Sequence, residues 1–285
     1  MGKAASRLNI SQPAISKAIA DLEHTLGVRL LDRSHRGIEP TAYGQAFIKR
    51  GVALFNELRQ GVQDIDFLSD PSAGELRVAA TEAIAGAIVI PALSQLTREH
   101  PRMVFHVATG DQVGTFYQHL AERNVELAIT RISREPPKEF STEVLFYDSM
   151  VVVAGKTNPL IRRRKLILAD LLNEPWIQQP PENSFGSLVA SVFQASGLVP
   201  PQLTVTSSSP NLLAELVATG KFLSVVVGFS LKLPRKHPFL RPLPVALANA
   251  RHPVAIITLK DRELSPPAHL FIERVRAITK PLAKS

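Results

Sequence analysis

Ser11-Gln12-Pro13-Ala14-Ile15-Ser16-Lys17 gathers, at the start of one helical pattern, side chains able to read and grip a polyanion. Ser11 is a strong N-cap, because its hydroxyl accepts from the free amides of the first turn. Pro13 falls in that turn, where a missing N–H costs little. Gln12, Ser16 and Lys17 then present an amide, a hydroxyl and an ammonium off the apolar face. Those are groups that hydrogen-bond base edges and phosphates when a helix start enters a duplex major groove. Arg33 and Arg36, around Ser34-His35, are cations placed for phosphate or the minor groove. A second set lies where strand patterns end and helix patterns begin: Thr81-Glu82, Thr130-Arg131, Gln178-Gln179 and Ser207-Ser208-Ser209-Pro210-Asn211. Hydroxyls, amides, helix-start N–H groups and one guanidinium suit a small polar or anionic ligand. The candidate ligand residues are Thr81, Glu82, Thr130, Arg131, Gln179, Ser207 and Ser209, with Gly228 and Phe229 closing the same cleft. Nothing has the spacing of a catalytic centre. There is no Gly-x-Ser-x-Gly elbow, no Gly-x-x-x-x-Gly-Lys phosphate cradle and no prominent carboxylate pair. The 8 histidines are scattered and cysteine is absent. The expectation is a protein that is not an enzyme and needs no metal or cofactor.

These residues need elements to hold them. Ile15, Ile19, Leu22 and Leu26 recur at steps of four, three and four, which makes one apolar helix face behind Gln12 and Ser16. Residues 30–40 read as two short extended pieces, a wing around Arg33 and Arg36. Thr41 can cap a long helix over 42–68. On it Phe47, Gly51, Leu54, Leu58, Gly61, Ile65 and Leu68 are spaced as an a/d heptad seam. Such a seam needs burial, and a second copy of the chain is the economical partner, with Phe47, Leu54, Leu58 and Ile65 at its centre. Asp70-Pro71-Ser72-Ala73-Gly74 then breaks the helix as a hinge. Beyond it, buried-strand patterns at 76–80, 104–108, 126–130, 150–154 and 223–227 alternate with helical stretches such as 84–100 and 188–196. Alternation of this kind implies mostly parallel sheet covered by helices, with ligands beyond the strands' carboxyl ends.

Composition narrows the class. The 285 residues suffice for two domains, and 45% hydrophobic content excludes a disordered chain. Net charge is +8, and residues 1–51 carry eight Lys and Arg against four Asp and Glu, so half the excess sits in under a fifth of the chain. That skew favours phosphate contact by the N-terminal part. No secretory leader and no apolar run of membrane-spanning length is present, so a cytoplasmic protein with no membrane partner is expected. Arg162-Arg163-Arg164-Lys165 reads as a solvated loop.

The run from Ala4-Ala5-Ser6-Arg7-Leu8 through Ser11-Gln12-Pro13-Ala14-Ile15-Ser16 to Leu22-Glu23-His24-Thr25-Leu26-Gly27-Val28-Arg29-Leu30-Leu31-Asp32-Arg33 resembles the winged helix-turn-helix of LysR-type transcriptional regulators. The resemblance implies an incomplete winged helix-turn-helix at 1–40, since family members begin with another helix before the one at Ala4. The apolar faces of Ala4, Leu8, Ile15 and Ile19 are then short of a cover. It further implies a dimerising linker helix at 41–70. At 71–285 it implies an α/β effector domain of two lobes, built like a periplasmic binding protein. Lobe one takes about 75–146 and 251–285, lobe two about 147–250. The function implied is a DNA-binding regulator that senses a small metabolite and assembles as a dimer or dimer of dimers on double-stranded operator DNA. DNA contacts fall to Ser11, Gln12, Pro13, Ser16, Lys17, Arg33 and Arg36. The alternative is a cytosolic small-molecule-binding protein with a non-functional DNA-binding remnant.

Overall fold

Local capping chemistry sets the first elements. The computed structural model describes residues 2–34, 37–110, 113–231 and 238–284, and the chain divides into two units, Met1–Arg59 and Gln60–Ser285. In the first, α1 (Gly2–Leu8) ends in a turn where Ile10 N–H donates to Ala5 O at 3.1 Å and Asn9 takes φ +53°. Then α2 (Gln12–Leu26) begins as its sequence requires. Ser11 Oγ accepts from Ala14 N–H at 3.3 Å, Pro13 sits in the first turn, and Gly27 closes the helix at φ +67°. That left-handed conformation favours glycine because it has no Cβ to clash. The apolar face is unevenly covered: Ile15 is buried, Ile19 and Leu22 are half-buried, and Leu26 is exposed, as is Leu8 on α1.

The wing is β1 (Leu31–Ser34) paired antiparallel with β2 (Gly37–Pro40). Glu23 anchors it, one carboxylate oxygen accepting from Leu30 N–H at 2.7 Å and Leu31 N–H at 3.0 Å. Arg33 lies on β1 opposite Ile38, and Arg36 lies outside the described residues. Thr41 starts α3 (Ala42–Ser69): its hydroxyl donates to Arg29 O at 2.7 Å and accepts from Gly44 N–H at 3.0 Å. Gly44 permits that approach, since a Cβ there would collide with Leu30 O.

In the second unit the order is β3 (Ala73–Ala80), then α4 (Glu82–Ile84) running through a π-helical turn (Ala85–Val89) into α5 (Ile90–Glu99). β4 (Arg102–Thr109), α6 (Val113–Ala121), β5 (Leu127–Arg131) and β6 (Phe140–Gly155) follow. After them come β7 (Trp176–Gln178), α7 (Ser184–Ala195), β8 (Leu203–Thr206), α8 (Pro210–Ala218) and β9 (Leu223–Val227). The last are α9 (Gly228–Leu231), β10 (Leu240–Pro242), β11 (Arg251–Leu259) and α10 (Pro266–Thr279). Strands run β4-β3-β5-β11-β6-β9-β7-β8, with β10 also on β6. β3 is parallel to β4 and β5, and β7 is parallel to β8 and β9.

β6 serves two lobes. Its first part pairs β11 as far as Ser149↔Arg251, and its second part pairs β9 from Met150↔Val227. A backbone bond from Met150 N–H to Ala250 O, 2.9 Å, marks where both strands pass from one lobe to the other. One core lies among Leu76, Ile88, Leu127, Val254 and Phe271, the other among Val152, Trp176, Val192, Phe193 and Leu223.

The sheet is mixed rather than mostly parallel as expected, because β6, β10 and β11 pair antiparallel, and β10 and β11 are not among the expected strands. Two further elements depart from the sequence pattern. Only residues 150–154 of β6 read as a strand, because the part before them alternates buried and exposed side chains and is held by β11, a distant segment. Glu126, expected to open a strand, precedes β5 as a buried carboxylate that accepts from Ser265 N–H at 3.1 Å, ahead of α10.

Candidate functional site

Residues that follow the parallel strands of the second unit enclose a cavity of about 690 Å³. Thr81 and Glu82 follow β3. Thr130 and Arg131 end β5, Gln178 and Gln179 come off β7, and Ser184 and Phe185 begin α7; all line the cavity. Gly186 fixes the α7 start against the preceding loop, since a Cβ there would collide with Pro180 O. Two hydrogen bonds among the described residues link the lobes across the space. Asn211 Nδ2 donates to Glu82 Oε1 at 3.2 Å, and Val113 N–H donates to Ser184 Oγ at 3.4 Å.

Arg131 dominates the electrostatics. Its guanidinium is buried, lies 2.6 Å from Asp148 Oδ2, and stands 5.7 Å from the centre of the Phe185 ring. The other oxygen of Asp148 accepts from Phe229 N–H at 2.9 Å. Burial lowers the Arg131 pKa and raises that of Asp148, and their mutual attraction opposes both shifts. His252 is the register partner of Asp148 on β11. Burial lowers its pKa first, and the charge of Arg131 lowers it further. Two atoms of cavity-lining side chains, Arg131 Nε and Gln179 Oε1, are buried without a hydrogen-bond partner.

Five of the expected ligand residues, Thr81, Glu82, Thr130, Arg131 and Gln179, are thus brought together. The other four are off the wall. Ser207 Oγ accepts from Ser209 N–H at 3.1 Å, and Ser209 Oγ caps α8 by accepting from Leu212 N–H at 3.3 Å. Their neighbours Ser208, Pro210 and Asn211 face the cavity instead. Gly228 is packed on the backbone of Ser149, where a Cβ would come 2.7 Å from its carbonyl oxygen. Phe229 is buried edge-to-face on Phe146, at 5.6 Å between centroids. Sequence reasoning missed Thr109, Ser133 and Phe185. No local signal marks them as ligand residues; only the α/β rule that strand ends meet a ligand points to the first two.

In the first unit, Ser11, Gln12, Pro13 and Lys17 are exposed at the α2 start and Ser16 is half-buried. Along α3, Phe47, Leu54, Leu58 and Ile65 are exposed, the last three by about two thirds (68%, 67% and 64%).

The sequence matches the profile described as the LysR substrate binding domain over residues 69–279. It also matches that of the bacterial regulatory helix-turn-helix protein, lysR family, over residues 1–45. The chain belongs to the LysR family. Members are DNA-binding transcription regulators with an effector-binding domain. Among LysR relatives, the HTH-type transcriptional regulator GbpR of Azospirillum brasilense is 29% identical over 277 residues, 96% of this chain and 81% of that protein. A full-length single-residue variant of OxyR from Pseudomonas aeruginosa shares the fold with a TM-score of 0.68 at 20% identity, over 99% of this chain and 93% of that one. CbnR in complex with its target DNA does so at 0.58 and 23%, over 98% and 93%. The LysR fold of an N-terminal helical region and a two-lobed α/β domain is therefore the fold of this chain. Among the described residues, no helix is long and apolar enough to cross a membrane.

Proposed function

We propose that this LysR-family chain binds operator DNA through the start of α2 and the wing, dimerises through α3, and senses a small molecule in the cavity between its lobes. It acts as a regulator rather than a catalyst, in the cytoplasm where its DNA is. Ser11 and Pro13 set the α2 start, Gln12 and Ser16 read base edges, and Lys17, Arg33 and Arg36 hold phosphates. Residues 1–40, 41–70 and 71–285 divide these tasks. The effector acts by binding one arrangement of the lobes better than another, and the difference in affinity is what it can transmit to the DNA-bound assembly.

The observation that carries the reading is the capped α2 start, with Gln12 and Lys17 exposed, in the segment matched by the LysR helix-turn-helix profile. CbnR with its target DNA supports it by analogy of fold.

The test selects the preferred duplex from a random library with the full chain, then measures Gln12→Ala and Ser16→Ala on that duplex and on an unrelated one. Each base contact is worth about 1–3 kcal/mol, so specific affinity should fall by about fivefold or more while non-specific affinity changes less. Unchanged footprints for both variants would remove α2 from the DNA-reading role.

A further inference from the structure

The cavity wall holds a matched pair of unmet needs. Arg131 Nε–H is a donor and Gln179 Oε1 an acceptor, both buried with no partner, on side chains exposed by only 8% and 9%. Buried polar groups are nearly always paired, so two orphans on residues that line one cavity, one from each lobe, point to a ligand that pairs them.

The charge on that wall selects the ligand. Among the described residues, Glu82 and Arg131 are its charged side chains. Arg131 is already neutralised by Asp148 at 2.6 Å, which leaves Glu82 as the surplus charge. An organic anion would meet a guanidinium with its partner in place, the Glu82 carboxylate and the Gln179 carbonyl oxygen. Carboxylates only accept, so such a ligand satisfies Arg131 Nε and is repelled by the other two. A hydroxyl accepts and donates at once. Phe185 adds an apolar side chain to the lining from the other lobe, of a kind that covers the C–H face of a saturated ring.

We infer that the effector is an uncharged polyhydroxylated compound of the sugar or polyol class. Its hydroxyls accept from Arg131 Nε and donate to Gln179 Oε1 and the Glu82 carboxylate. The cavity, at about 690 Å³, is in the range of about 300–1,000 Å³ usual for small-molecule sites. This inference rests on the reading that the effector binds between the lobes.

The experiment follows thermal unfolding of the full chain with two panels at equal ionic strength. One holds neutral hexoses, pentoses, mannitol and inositol; the other holds succinate, citrate, benzoate and gluconate. A dose-dependent upward shift is expected from at least one neutral compound and from none of the acids. Calorimetry on that compound should show affinity falling tenfold or more in Glu82→Gln and in Gln179→Leu, and binding lost in Ser208→Trp, which places an indole at the cavity rim. Stabilisation by acids alone, with binding lost in Ser208→Trp, overturns the neutral class and leaves the cavity reading standing. A neutral binder unaffected by Ser208→Trp overturns the cavity reading itself. A neutral binder lost in Ser208→Trp but indifferent to Glu82→Gln and Gln179→Leu overturns the pairing, and a chain that answers to neither panel overturns the neutral class.

Discussion

Among the described side chains of Met1–Arg59, only Ala5, Ile15 and Leu30 are buried apolar residues, whereas β3 alone buries Leu76, Val78, Ala79 and Ala80 in the other unit. The first unit is held by short-range bonds: a serine cap on α2, Glu23 on the wing backbone and Thr41 at the start of α3. The second is held by a sheet whose neighbours come from distant segments, β11 beside β5 and β6 above all. On the proposed function the difference has a use: a unit that leaves Gln12, Lys17 and the α3 seam uncovered keeps its burial for partners, while one that encloses a cavity needs rigid walls around it.

The sharpest way to break the comparison lies in the second unit. Asp148→Ala leaves the Arg131 guanidinium buried and uncompensated, which costs about 3–5 kcal/mol. Denaturant unfolding followed by Trp176, buried in that unit, should move sharply, while binding to unrelated duplex at low salt stays. The double variant Arg131→Met with Asp148→Leu should recover most of the loss. If Asp148→Ala is silent, the buried pair does not hold the second unit together.

Leu58→Asp attacks the surface that the first comparison leaves open. A carboxylate at mid-seam has no partner once the seam is covered. Sedimentation should show monomers or aggregates where the unaltered chain gives a dimer at low micromolar concentration. A dimer that persists would assign the seam to some other cover.

Two serine caps sharpen the contrast at smaller scale. Ser11→Ala and Ser209→Ala remove equivalent bonds, each worth about 1 kcal/mol. Hydrogen exchange should show α2 fraying far more than α8, because α2 buries Ile15 alone while α8 buries Leu213, Ala214 and Val217. Equal protection in the two variants would mean that α2 is braced by more than its cap.

The smallest effect is expected from His252. Its folded pKa lies below the usual 6.5, so the unfolded chain binds the proton more readily. Stability is full above pH 6.5 and falls as pH drops through that value toward the lower folded one. His252→Gln should flatten the acid side of the stability profile of the second unit. An unchanged slope would place the titration elsewhere.

Much of the first unit was legible because its signals are local. Ser11 and Pro13 mark the start of α2 in the chain as they do in space, and Thr41 marks the start of α3. In the second unit the strand-end rule pointed to Thr81, Glu82, Thr130, Arg131 and Gln179, which line one cavity, since βα units present their carboxyl ends together. It failed within the run 207–211, where the backbone turns Ser207 and Ser209 to local caps and Ser208 and Asn211 to the cavity. A one-residue choice of this kind is set by the turn before α8.

What the sequence by itself determined is whatever rests on neighbours in the chain: the helix starts and stops, the apolar period of α3, and the motif that assigns the LysR family. Tertiary structure alone decided that Arg131 is neutralised by Asp148, seventeen positions along the chain on another strand, and that Gln179 Oε1 is left without a partner. It also decided that β6 passes through both lobes, because a strand of alternating exposure is held only by the partner that pairs with it.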